Sequence, residues 1–365
     1  MAHFADQVKI TIDDYPQNIV YYDLKLTQKM MDHHHFSFTW QYTGSPVIKP
    51  ADQAAALRKY QGCEVIFTFT TASGNRLMSK GIISKLKSVD VDGSPLGLHV
   101  TGISHTILLD DLKKSRSFSD RNLKDIATSI FSGETAGEFY QIDSIKPTFT
   151  KIFEHKTQYN ETSFEFLKRL SARYGQWLYF DGMRMQLGQT KFSNIKLINR
   201  SSLHNFCIET NLVSQKSSLA GYDHMSAAGI KSSKEKTNKG SADSFSRIVL
   251  DRQASVSQRN LSVSGYTNQA KNAYEMAEMV ELQTAGKDAN SVFYSGVSYL
   301  PIGVGQVLPS KTKPYNMNLL PLKLFITQSC GAIILVSSRR FLLMLPHRIT
   351  PMSKPLKKPK ASLQE

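Results

Sequence analysis

Hydrophobic and polar residues alternate with a period of two through most of the first hundred positions. The runs KITIDD, IVYYDLKL, HFSFTWQY, CEVIFTFTT, GIISKLKSVDV and LGLHVTGI are short and rich in Val, Ile, Phe, Tyr and Thr, residues that suit a pleated, half-buried surface. Turn formers separate several of them, as at Ala72-Ser73-Gly74-Asn75 and Asp92-Gly93-Ser94-Pro95. This spacing predicts an antiparallel barrel or sandwich. One helix interrupts it at PADQAAALRKY, residues 50–60, where strong helix formers replace branched residues. Within HFSFTWQY the phase puts Phe36, Phe38 and Trp40 on one face together with His34, and His33 with His35 on the other.

Beyond Leu109 the period changes to 3.6. Leu123, Ile126, Ala127 and Ile130 recur at helical spacing behind Ser119, the expected cap, and Gly133 is the expected stop. In YNETSFEFLKRLSARYG, Thr162 and Glu165 have capping-box spacing. Phe166, Leu167, Leu170 and Tyr174 then form one apolar stripe that ends at Gly175. Asp181-Gly182 between two aromatic and aliphatic runs predicts a hairpin. Strand character returns at SNIKLINR and FCIETNL, and residues 229–240 read as an exposed polar loop. A helix over 268–283 carries Ala273, Tyr274, Ala277 and Val280 on one stripe, and SVFYSGVSYL and GVGQVL are expected to end the regular structure.

Composition adds little until charge is located. The chain has 365 residues and a net charge of +15, a balance that ordinarily points to an anionic partner. Residues 309–365 hold ten Lys or Arg against one acid, so the preceding 308 residues carry only +6. No Asp or Glu occurs for 76 positions after Asp288, where about six would be expected at the chain's own frequency. The apolar patch 319–338 has an uninterrupted core too short to span a bilayer, so no stable membrane insertion is expected. Cys63, Cys207 and Cys330 are odd in number and far apart, which favours neither a disulfide framework nor a zinc knuckle. The first fifteen residues lack a basic-then-apolar leader.

Candidate chemistry centres on DHHHF. His33 and His35 on one strand face would supply two zinc ligands, but a catalytic zinc needs a third and an open position, and no HExxH occurs. A zinc-dependent hydrolase using His33 and His35 is therefore the rival to a structural strand, and the expected metal and cofactor content is none. Asp110-Asp111 reads as a solvated turn, and Glu161 and Glu165 as acids favoured at a helix start. No nucleophile elbow, P-loop or dinucleotide fingerprint is present, and no enzyme is expected. A third reading, a nucleic-acid or membrane-surface binder, rests on residues 309–365 alone; no nucleic-acid partner is expected of the body.

Two blocks carry a resemblance. YNETSFEFLKRLSARYGQWLYFDG, with Tyr159, Asn160, Glu161, Phe164, Phe166, Leu167, Arg169, Leu170, Gly175, Tyr179 and Phe180, resembles VgrG spike proteins of type VI secretion systems and related phage tail baseplate hubs. The block TGISHTILLDDLKKSRSFSDRNLKDIATSIF, with Leu108, Leu109, Asp110, Arg116 and Phe118, is similar to the same family, as are DHHHFSF around His34, Phe36 and Phe38, and AGYDH from Ala220. The resemblance covers about residues 1–308. It implies a mostly β, α+β fold with two similar β-barrel hub domains and an α+β domain between them. The first barrel would span 1–110, completed by strands from 195–218; the α+β domain 111–194; the second barrel 219–308, including the helix at 268–283.

The resemblance also implies a non-enzymatic homotrimer that docks on the tail-tube protein among baseplate components and carries an effector or tip protein. Such a trimer is assembled in the bacterial cytoplasm and then secreted through the injection apparatus. Family members continue into an oligonucleotide/oligosaccharide-binding-fold domain and a β-helix needle, whereas 309–365 resembles neither. A frameshift near Leu308 is the expectation that joins the missing acids to the lost periodicity.

Overall fold

The computed structural model describes residues 7–13, 15, 19–41, 50–71, 74–91, 94–134, 142–211, 217–234, 248, 265–267, 270, 272–289, 292–312, 315–327 and 331–337. Its class is mostly-β α+β. The early alternating runs become β1 (Gln7–Ile12), β2 (Val20–Lys29), β3 (His35–Gln41), β4 (Glu64–Thr70), β5 (Arg76–Val91) and β6 (Ser94–Ile103), all antiparallel, in the order β1-β4-β5-β6-β3-β2. Along β4 the side chains of Val65, Phe67 and Phe69 are buried and those between them half-exposed, as a two-residue period requires. Phe36, Phe38 and Trp40 are buried in the same core. The rings of Phe36 and Phe38 meet Phe67 edge-on at 4.9 and 5.9 Å, a favoured aromatic geometry.

Phe36 also explains two glycines. A Cβ at Gly102, directly opposite on β6, would stand 2.0 Å from its ring, and one at Gly81 on β5 would stand 2.7 Å away, so both positions must lack a side chain. The expected helix α1 (Pro50–Tyr60) is present, and its Tyr60 packs on Trp40 at 5.1 Å.

After a 3-10 turn at His105–Asp110 the chain builds an α+β unit with a core of its own. It comprises β7 (Lys114–Arg121), α2 (Leu123–Glu134), β8 (Ile145–Lys146), β9 (Phe153–Glu161), α3 (Ser163–Arg173), β10 (Trp177–Phe180) and β11 (Met185–Gly188). β7 pairs with β9, and β10-β11-β8 form a second small sheet. The capping box of Thr162 and Glu165 is formed, and the Asp181-Gly182 hairpin joins β10 to β11. Ser119 does not cap α2: it lies inside β7, opposite His155. Asn122 takes that role, its Oδ1 accepting from the Asp125 N–H at 2.9 Å, and Gly133 sits within the helix rather than ending it.

The remaining strands are β12 (Lys191–Phe192), β13 (Leu197–Ile198), β14 (Leu203–Thr210), β15 (Ser217–Asp223), β16 (Ala228–Lys234), β17 (Gly265–Tyr266), β18 (Val292–Ser298), β19 (Gln306–Thr312), β20 (Tyr315–Thr327) and β21 (Gly331–Ser337). β15, β16 and β17 make a separate sheet, covered by α4 (Ala273–Ala289) through Met276 and Val280 on Leu219. Four expectations are corrected here. The helix expected over 268–283 is displaced towards the C-terminus. β16 enters the stretch read as a loop over 229–240, of which 235–240 lie outside the described residues.

The strands within 195–218 do not complete the first barrel: β13 pairs with β19 and β14 with β18. Regular structure also continues past Leu308. β20 pairs antiparallel with β2, from Lys25 opposite Thr327 to Lys29 opposite Lys323, and Ile326 enters the core of the first six strands. The sheet thus runs on as β2-β20-β21-β18-β14, with β12, β13 and β19 alongside, to thirteen strands in an open half-barrel. A second apolar core, with Met30, Tyr179, Tyr294, Leu308, Leu319 and Leu324, lies in this later part. Residues 338–365, including most of the basic stretch, lie outside the described residues.

Candidate functional site

Where the inserted unit meets the sheet, the chain gathers its densest polar chemistry. The centre is the turn between β2 and β3, residues 30–34. Met31 adopts a left-handed conformation (φ 57°), and the Asp32 carboxylate accepts from the His33 N–H at 2.9 Å. These two features interrupt the alternation, so β3 begins only at His35. His33 and His35 consequently do not share a face: His33 is buried and His35 exposed. Among the described residues no three His, Cys, Asp or Glu side chains converge as a metal site.

His33 instead bridges three elements. Its Nε2 lies 2.8 Å from the Asp110 carboxylate and its Nδ1 2.6 Å from the Thr106 hydroxyl, while its ring stacks on Phe164 at 4.2 Å. A carboxylate only accepts, so the proton sits on Nε2, and in the neutral ring Nδ1 accepts from Thr106. The second Asp110 oxygen accepts from Thr162 Oγ1, the residue that caps α3. Asp110 is thereby a link in a network, a role the solvated-turn reading did not give it. His34, buried, donates its backbone N–H to Ser104 Oγ at 3.0 Å and sets its ring edge-on to Phe180 at 5.5 Å. Burial lowers the His34 pKa to about 3, against a smaller opposing effect of the Lys29 carbonyl. The Asp32 carboxyl is disfavoured as an anion by burial, but Lys29 and the His33 N–H outweigh that and lower its pKa.

A second cluster locks β7, α2, β9 and α3. Arg116 donates to Glu134 at 2.6 Å, Gln158 at 2.7 Å and Ser163 at 2.9 Å. Ser163 and Lys114 also donate to Glu134, at 2.7 and 3.0 Å. Burial works to raise the Glu134 pKa, but these donors together hold it below the ordinary value. Near by, Arg169 closes a two-point pair with Glu161 and also reaches the Thr157 carbonyl at 3.0 Å.

The other motif residues divide by role. Leu109, Phe118, Phe166, Leu167, Leu170 and Phe180 fill the core of the inserted unit, and Phe118 stacks on Phe166 at 5.7 Å. Tyr179, one position from Phe180, faces the other way into the later sheet's core, and burial pushes its phenol pKa up. Asn160 (φ 49°) and Gly175 (φ 64°) take left-handed turns. Leu108 and Tyr159 are exposed.

Backbone contacts complete the seam. Met31 N–H donates to the Leu178 carbonyl at 3.1 Å, Met30 N–H to Leu322 at 2.8 Å, and Lys80 N–H to Gly182 at 2.7 Å. Gly182 (φ 103°) sits so close that a Cβ would lie 2.4 Å from the Met78 carbonyl. Ser104, Thr106, Glu134, Gln158 and Ser163 were not anticipated. Their partners lie far off in sequence, as with the 73 positions between His33 and Thr106, and no local spacing signals them. Asp110 and Glu134 are each held by donors from separate elements, an arrangement that orients and rigidifies.

Fold and seam together define a structural scaffold, in which one long open sheet carries an inserted α+β unit. Residues 33–298 match the family model of the phage tail baseplate hub (GPD), and the chain belongs to that family. Among solved structures it is similar to the 43 kDa tail protein of prophage MuSo2 from Shewanella oneidensis, at 13% identity and TM-score 0.63, over 92% of this chain and 99% of that one. It also resembles an E. coli component of the type VI secretion system described as similar to bacteriophage T4 tail proteins, at 11% identity and TM-score 0.56, over 91% and 77%. A third is the Francisella PdpA–VgrG complex, at 9% identity and TM-score 0.52, over 91% and 53%. No curated protein matches in sequence. At these identities the likeness is one of fold, shared between phage tails and secretion spikes. Among the described residues, no helix is long and apolar enough to cross a membrane.

Proposed function

We propose that the chain acts as a non-catalytic hub at the base of a contractile injection apparatus, of the VgrG or phage-tail kind. Three copies form a ring that docks on the tail-tube protein among baseplate components and helps carry an effector or tip protein. In this reading the ring assembles in the bacterial cytoplasm and leaves through the apparatus. The observation that carries it is the match of residues 33–298 to the baseplate hub family.

The sheet supports the same reading in kind. One apolar core is built by β1–β6 with Ile326 of β20 and another by the later strands, as two barrel-like halves around an inserted unit would require. Among the described residues the path of the sheet ends at β1 and β14, and edge strands favour association with another chain. Light scattering on the purified full chain tests the oligomer. A molar mass three times the 41.0 kDa of one chain is expected. A mass of one chain at every concentration would contradict a self-assembling ring.

A further inference from the structure

The core around Phe36, Phe38 and Phe67 takes one face of the early sheet. From β5 to β2 the opposite face carries mostly exposed and half-buried side chains. Directly paired residues share a face, so the register assembles it row by row. One row runs Lys85, Thr101, Ser37 and Lys25 across β5, β6, β3 and β2. The row on one side holds Lys87, His99 and Thr39, and the row on the other holds His35 and Thr27. None of these positions holds an acid or an arginine. Residues 309–365 contain most of the chain's excess charge, and folding gathers a second excess here from separate strands.

Lys25, Lys85 and Lys87 are exposed and, among the described residues, without an ion-pair partner. The charges around them are engaged: Lys29 with Asp32, Lys323 over the Phe325 ring at 4.4 Å, and Glu64 with Lys80 and His105. Asp23 stands in the β2 bulge, outside these rows. Strands lie about 4.8 Å apart and one face repeats about every 6.7 Å along a strand. Lys85 and Lys25 are thus separated by about 14 Å, with Thr101 and Ser37 between them, and Lys87 follows Lys85 by one repeat. A small anion reaches one of these lysines, whereas an extended polyanion reaches all three and relieves their mutual repulsion. Protein interfaces are poor in Lys and rich in Arg and aromatic residues, the reverse of this face. Its apolar members, Ile82, Ile103 and Phe325, are half-buried, which leaves no apolar wedge for a bilayer. Lysines and hydroxyls are the groups that contact nucleic-acid phosphate and sugar.

We propose that this face binds the phosphodiester backbone of a nucleic acid without regard to sequence, with Lys25, Lys85 and Lys87 on phosphates and Thr101 and Ser37 between them. The assignment goes beyond the hub reading and does not depend on the oligomeric state, so either can fail alone.

Fluorescence anisotropy of the full chain tests it, with a labelled oligonucleotide of mixed sequence, as a single strand and as a duplex, over a range of salt. At least one form should bind. Lys25→Gln, Lys85→Gln and Lys87→Gln together should weaken that binding about tenfold or more and make the single-strand salt slope shallower by roughly 2. Should this triple variant lose its fold, Lys85→Glu changes one exposed side chain and should still weaken binding by about threefold or more. Lys357→Gln, Lys358→Gln and Lys360→Gln remove the same charge from the basic end of the chain and should leave most of the affinity. No binding of either form, or an equal or greater loss in this second triple variant, would overturn the proposal. So would equal binding to poly-glutamate or to phosphatidylserine vesicles, which would assign the face to an acidic protein or to a lipid surface.

Discussion

Residues 36–40 and residues 30–34 are neighbours in the chain, yet one stretch lies in an apolar sheet core and the other in a polar seam. In the first, Phe36, Phe38 and Trp40 are held by burial against Phe67, Val100 and other strand residues, an interaction that needs only the right period and volume. In the second, His33, Asp110, Thr106 and Thr162 are held by directed hydrogen bonds, each of which fixes an angle. Burial contributes most of the stability. Directed bonds contribute the geometry with which the inserted unit stands on the sheet.

That contrast can be tested by cutting each region in turn. Phe38→Ala, in the apolar core, should cost about 3–5 kcal/mol in urea unfolding; a loss under about 1 kcal/mol would mean the core is not packed as described. In the polar seam, Glu134→Ala removes the acceptor shared by Arg116, Lys114 and Ser163 and should cost about 1.5–3 kcal/mol. The carboxyl's pKa lies below its ordinary value of 4.5. Its contribution is therefore complete above that value and lost as pH falls through the lowered folded pKa. An acid-unfolding curve of the variant should flatten below pH 4.5 relative to the parent.

His34 acts in a different window. Its pKa falls from 6.5 to about 3 on folding, so the unfolded chain takes the proton first and stability declines as pH drops below 6.5. By pH 5 that amounts to about 2 kcal/mol. His34→Leu should unfold with little change between pH 6.5 and 5, and persistence of the parent's slope would show that another group causes it. The smallest effect is expected from Arg169→Ala. Its partner pair is solvent-exposed on the arginine side, and thermal unfolding should register about 0.2–1 kcal/mol.

The division between the two regions is also the division between what the sequence disclosed and what it concealed. The capping box at Thr162, the Asp181-Gly182 hairpin and the buried face of Phe36, Phe38 and Trp40 were legible because each depends on residues a few positions apart. Asn122 displaced Ser119 as the α2 cap because β7 extends to Arg121 by pairing with Phe153, a contact set 32 positions away. The face of His33 was misjudged for a similar reason. A left-handed Met31 and an Asp32 turn reset the phase ahead of β3, and period counting assumes an unbroken strand. The strands beyond Leu308 find their partners in β2 and β18, and loss of local periodicity conceals such long-range pairing. The seam itself had no signature beyond the family resemblance, since its members come from separate elements.

Co-assembly with a tail tube tests the proposed hub role most directly. The full chain would be mixed with the tail-tube protein of the same injection apparatus and imaged by electron microscopy. Ring-shaped particles of three copies capping the tube end are expected. Tubes with bare ends beside separate, well-folded single chains would contradict it.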